Sequence, residues 1–128
     1  MLLDTHVALW LLDDSPRLGA RARELMQSEA GKPLVSTAAL WEIAIKAQLG
    51  RIEVPDDLPE RIEAAGLGWL PVAPAHAWRS RTVDLPHRDP FDRLLVAQAA
   101  MERATLVTAD RVLLAAAPGD VPLLDARQ

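Results

Sequence analysis

Short apolar runs recur along the chain, and each is followed by a stretch with helical spacing of its apolar residues. Met1–Asp4, Pro33–Ser36, Trp69–Val72, Thr105–Thr108 and Val121–Leu124 read as strands. Between and after them, Thr5–Asp13, Leu18–Ala30, Thr37–Leu49, Leu58–Ala65, Ala75–Val83, Pro90–Arg103 and Asp110–Ala116 read as helices. Pro90–Arg103 is the clearest of these, with Asp89 as its cap and Pro90 at the first helical position. Strands that alternate with helices predict an α/β fold with a mostly parallel central sheet covered on both faces. The 128 residues suit one domain spanning 1–128, without internal repeats or low-complexity tracts.

In such sheets functional groups collect beyond the carboxyl ends of the strands, where the strand order reverses. Four acids are placed to matter. Asp4 ends the first strand, and Asp110 follows Thr105–Thr108 by two residues. Glu42 shares a helix face with Ala38, Ala39 and Ile45, and Asp92 shares one with Leu95, Val96 and Ala99. Each also has a structural explanation. Asp4 and Asp110 suit helix caps, Glu42 can pair with Lys46 one turn on, and Asp92 favours the positive end of its helix. A carboxylate on an apolar face is costly to bury without compensation, and several in one cleft repel. A divalent cation with a preference for oxygen ligands, Mg²⁺ or Mn²⁺, resolves both problems. Such a site suits phosphodiester hydrolysis, with Arg93 and Arg88 as the nearest phosphate-binding candidates by sequence.

Other chemistries lack their residues. Without cysteine there is no thiol nucleophile, thiolate zinc site or disulfide framework. The single Gly-Lys, Gly31-Lys32, is followed by Pro33 rather than Ser or Thr, so no P-loop is present. No Gly-x-Ser-x-Gly elbow occurs, and an aspartyl-nucleophile phosphatase would want an acid where His6 stands. His6, His76 and His87 lack metal-ligand spacing among themselves, and His76 reads as structural or solvent-facing. The formal charge of −4 leaves a nucleic-acid partner open, because the basic residues are 12 arginines and 2 lysines. No apolar run spans a bilayer and no leader precedes the first strand, so the cytoplasm is the expected location.

The chain resembles PIN-domain ribonucleases, specifically the VapC-like toxins of bacterial toxin–antitoxin pairs. The resemblance runs through Leu2-Leu3-Asp4-Thr5-His6, Leu9-Trp10, Ser36, Trp41-Glu42-Ile43, Lys46 and Leu85-Pro86-His87. Its most specific stretch is His87-Arg88-Asp89-Pro90-Phe91-Asp92-Arg93-Leu94-Leu95, continuing to Ala97-Gln98-Ala99, Leu106-Val107-Thr108 and Asp110. It implies a PIN-like three-layer sandwich. It also implies that Asp4, Glu42, Asp92 and Asp110 form an acidic quartet binding Mg²⁺ or Mn²⁺, with Thr108 orienting the site. Asp4 and Asp92 are the leading direct ligands, Glu42 acts directly or through water, and Asp110 is the most remote. Asp89 is expected to cap its helix, and His87 to contact RNA at the rim. The resemblance further implies cleavage of single-stranded RNA to a 5′-phosphate and a 3′-hydroxyl, a homodimer and an antitoxin partner, with no membrane role. A catalytically silent PIN-like module that binds RNA or protein is the alternative.

Overall fold

Alternation of side chains along each strand decides the layering in the computed structural model, which describes residues 1–28, 32–86 and 89–128. Leu2 and Leu3 make up the central strand β1 (Leu2–Leu3) and face opposite sides of the sheet. Leu3 packs with Val35, Val107 and Leu124 in one buried cluster, while Leu2 packs with Leu106 in the other. Both faces of the central strands are therefore covered, which is why they read as continuous apolar runs.

The strands β2 (Leu34–Ser36), β3 (Gly68–Leu70), β4 (Leu106–Thr108) and β5 (Leu123–Asp125) complete a five-stranded sheet of order β3-β2-β1-β4-β5. All four pairings are parallel, with Leu3 opposite Val35 on one side and Val107 on the other. One face carries residues of α1 (Thr5–Leu12), α2 (Ala20–Ser28), α3 (Thr37–Gln48) and α4 (Leu58–Ala64): Val7, Ala22, Met26, Ala39, Ile43 and Ile62 among them. The other carries Leu95, Val96 and Ala99 of α6 (Pro90–Met101) and Leu113 of α7 (Arg111–Ala116). The short α5 (Pro74–Arg79) runs into a 3₁₀ turn at Ser80–Thr82. The result is the expected three-layer α/β arrangement, with a sheet that is wholly rather than mostly parallel.

Two strands sit slightly away from their expected positions, each because of a proline. β3 ends at Leu70 because Pro71 has no N–H to continue the ladder. β5 begins at Leu123, and Pro122 joins the sheet only through its carbonyl, which accepts from Leu106 N at 2.9 Å. Helices α3 and α4 both stop at glycines with left-handed backbone, Gly50 at φ 72° and Gly66 at φ 86°. In each case the following residue folds back: Arg51 N reaches Lys46 O at 2.9 Å, and Leu67 N reaches Ile62 O at 3.3 Å. The expected extension of the second helix to Ala30 lies outside the described residues. Among the described residues no helix is long and apolar enough to cross a membrane.

Candidate active site

β1 and β4 are adjacent while their following chain segments diverge, so the switch point of the sheet falls between them. Asp4 is the first residue beyond β1 and caps α1, its Oδ1 accepting from Thr5 N at 2.7 Å. Its Oδ2 accepts from the buried Thr108 hydroxyl at 2.7 Å, which ties the carboxylate to the end of β4. The same hydroxyl accepts from Asp110 N at 3.1 Å, and Asp110 Oδ1 in turn caps α7 through Val112 N and Leu113 N. One threonine side chain therefore fixes the two acids that follow neighbouring strands.

Glu42 and Asp92 arrive on helices from the two sides of this point. Buried Ser36 caps α3 through Ala38 N at 3.0 Å, which sets the helix that presents Glu42. Glu42 is buried, receives the Thr5 hydroxyl at 2.9 Å and pairs with Lys46 Nζ at 2.6 Å. The expected pairing with Lys46 is thus realised. Asp89 caps α6 by accepting from Phe91 N at 2.9 Å, and Asp92 follows in the first turn, only 7% exposed. Asp4, Glu42, Asp89, Asp92 and Asp110 all line one trough of about 380 Å³ at the carboxyl edge of the sheet. His6, Trp10, Arg17, Lys46, Ala109 and Arg127 complete its walls.

The family model for the PIN domain matches residues 1–118. The chain belongs to the PIN domain family. Among solved structures, a toxin–antitoxin complex from Klebsiella pneumoniae contains a chain similar to this one. The TM-score is 0.62 at 15% identity, covering 98% of this chain and 96% of that one. A second match is the VapBC2 complex from Rickettsia felis bound to a DNA fragment from its promoter. There the TM-score is 0.68 at 15% identity, with 96% of each chain covered. These likenesses show the fold that the two chains share with this PIN domain. No curated protein matches the chain in sequence.

The electrostatics of this PIN domain are those of crowded anions. Burial pushes the Asp92 carboxyl up to about 7 from an ordinary 3.8, and the charges of Asp4, Asp89, Asp110 and Glu42 push the same way. Asp4 is also raised, chiefly by burial, although its hydrogen bonds from Thr108 and Thr5 and the nearby His6 oppose the rise. The donor set fits a hard divalent cation, being carboxylate oxygen without thiolate. Among the described residues, no group of three or more His, Asp or Glu side chains is close enough together to hold an ion as it stands.

Arg93 is not among the residues lining the trough. Its guanidinium donates to the carbonyl oxygens of Val83 and Leu85, which braces the segment before α6. His87 and Arg88 lie outside the described residues. His76 is buried and structural: Nδ1 accepts from Ala73 N at 3.0 Å, and Nε2 lies 2.9 Å from Glu102 Oε1. Arg17, Ala109 and Arg127 of the trough, and Thr5 behind Glu42, are not singled out as site residues by the sequence. Thr5 was visible beside Asp4, but its bond to Glu42 needs α1 and α3 to pack together. Arg127 had no local signal, because only tertiary folding returns the last residues to the site.

Proposed function

We infer that this PIN-domain protein is a metal-dependent endoribonuclease and the toxin of a toxin–antitoxin pair, acting in the cytoplasm. The observation that carries the reading is the convergence of Asp4, Glu42, Asp89, Asp92 and Asp110 on one trough at the switch point of the sheet. Asp4 and Asp92 are the leading residues to hold Mg²⁺ or Mn²⁺, with Glu42 and Asp110 assisting directly or through water. When bound, the ion supplies a hydroxide nucleophile at neutral pH and offsets charge on the scissile phosphate. Thr108 and Thr5 hold the Asp4 and Glu42 carboxylates in place, and Lys46 pairs with Glu42 from one turn further along α3. The two structural relatives are toxin–antitoxin complexes, which supports a cognate antitoxin as partner. A homodimer and an RNA substrate complete the reading.

A catalytically silent module is the second reading, favoured by the spacing of the acids, which does not close around one point. Purified protein incubated with single-stranded RNA and Mg²⁺ or Mn²⁺ separates the two. The nuclease reading expects cleavage that EDTA stops. Asp92→Asn and Asp4→Asn should lower it by more than the roughly 10–100-fold that losing a partner behind a metal ligand costs. Equal cleavage by the wild type and either variant would remove the site from the reaction. RNA binding without metal-dependent cleavage would establish the silent module.

A further inference from the structure

We propose that Arg17 is the phosphate-binding residue of this site, gripping the RNA backbone on the side where the strand leaves the acidic trough. The proposal rests on the RNA-cleaving reading above and deepens it. Four basic side chains line the trough: His6, Arg17, Lys46 and Arg127. Two are already engaged. Lys46 Nζ lies 2.6 Å from Glu42, and Arg127 is held on both oxygens of Asp125 at 3.0 and 3.2 Å. His6 is an imidazole and lacks the planar guanidinium fork that matches a phosphate. Among the described residues, the Arg17 guanidinium has neither a hydrogen bond nor an ion pair, and the side chain is exposed. It is the permanent charge of the trough that remains available to a ligand.

Its backbone is held by local contacts while its side chain is exposed. Arg17 follows the turn that ends α1, where Asp14 takes a left-handed backbone at φ 49°. Arg23 secures that turn from α2, reaching the Ser15 carbonyl at 2.8 Å and Asp14 at 3.0 Å. The Ser15 hydroxyl accepts from Arg17 N at 3.2 Å, and the next residue, Leu18, is buried in the core. Arg23 also pairs with Asp14, so that carboxylate of the turn is already engaged.

Its position gives the contact a direction. Arg17, His6 and Trp10 line both the acidic trough and a larger adjoining groove of about 1100 Å³ between α1 and α4. A strand whose scissile phosphate lies among the acids and which continues toward that groove passes Arg17. The planar fork of the guanidinium matches the two non-bridging oxygens of a phosphate, and phosphate contacts position a strand without reading its bases.

The test is equilibrium binding of a single-stranded oligoribonucleotide in EDTA, so that no strand is cut, at a series of salt concentrations. Arg17→Ala is expected to weaken binding several-fold, equally for different sequences. It should also lower the slope of log affinity against log salt by about 0.7, the value for one phosphate contact on a single strand. Arg17→Lys should restore the slope, because it keeps the charge. In cleavage assays with Mg²⁺, the Arg17→Ala defect should appear in KM more than in kcat. Arg17→Ala with unchanged affinity and salt slope, in a protein that binds and cleaves RNA, would overturn the proposal alone. Wild-type protein that neither binds nor cleaves RNA would overturn both the proposal and the reading beneath it.

Discussion

Asp92 occupies the first turn of α6, where the positive end of a helix ordinarily favours a carboxylate by about 0.3–1 kcal/mol. Burial and four neighbouring acids outweigh that preference, since the group is pushed up to about 7. The sign of the consequence follows from proton counting. Between its ordinary 3.8 and about 7, Asp92 binds a proton in the folded state that it has lost in the unfolded chain. Its contribution to stability is therefore full below about pH 4, fades as pH rises, and is gone above pH 7. In EDTA, Asp92→Asn should melt higher than wild type at pH 7.5, and the advantage should shrink steadily toward pH 4. Comparing the two proteins cancels groups they share, such as Asp57 and Asp125, which are lowered and so act in the opposite direction. Equal melting temperatures across that range would mean that Asp92 is ordinary and the acids are not crowded. The same substitution that relieves the metal-free fold should abolish cleavage, a trade of stability against function.

Thr108 shows how elements, rather than single residues, assemble the site. Its backbone belongs to β4, while its hydroxyl spans from Asp4 beyond β1 to the amide that opens the turn into α7. Thr108→Val keeps the shape and removes both bonds. It should cost roughly 1–3 kcal/mol in denaturant unfolding, because the buried Asp4 carboxylate loses its partner and the part-buried Asp110 N–H loses its acceptor. Activity should fall about 10–100-fold, the usual cost of losing a group that orients a metal ligand. Unimpaired cleavage would mean that Asp4 needs no such anchor. This coupling also marks where sequence reading reaches its limit. The α6 cap at Asp89, the stop at Gly50 and the burial of Glu42 and Asp92 follow from local chemistry and helical spacing, and all were legible. The prolines at 71 and 122 trimmed two strands in ways the apolar pattern alone does not register. That Arg93 braces the Val83–Leu85 segment while Arg17 lines the trough depends on the packing of α6 and of the turn before α2. Adjacency to Asp92 pointed to Arg93, and adjacency in sequence is a poor guide to where a long side chain ends.

At the scale of the whole molecule, the acidic balance acquires a location. The formal charge of −4 equals the charge of Asp4, Glu42, Asp92 and Asp110 when all are ionised, so the rest of the chain is formally neutral. A cation held among these acids would offset much of that charge and let phosphate approach Arg17 and its neighbours. The single sheet places all of this at one edge, and target choice then falls to the rim of one trough and to whatever the chain assembles with. On the proposed reading, the chain should harm a bacterial host only when both the acids and the fold are intact. Expression of the chain alone in bacteria should arrest growth, with cellular RNA acquiring new 5′-phosphate ends. Asp92→Asn, produced at the same level and at least as stable by the reasoning above, should do neither. That pairing is what makes the experiment decisive, because a harmless variant that is also better folded cannot owe its harmlessness to misfolding. Growth unaffected by wild-type protein that cleaves RNA in vitro would separate nuclease activity from the toxin role. Arrest by both forms would place the harm outside the acidic trough.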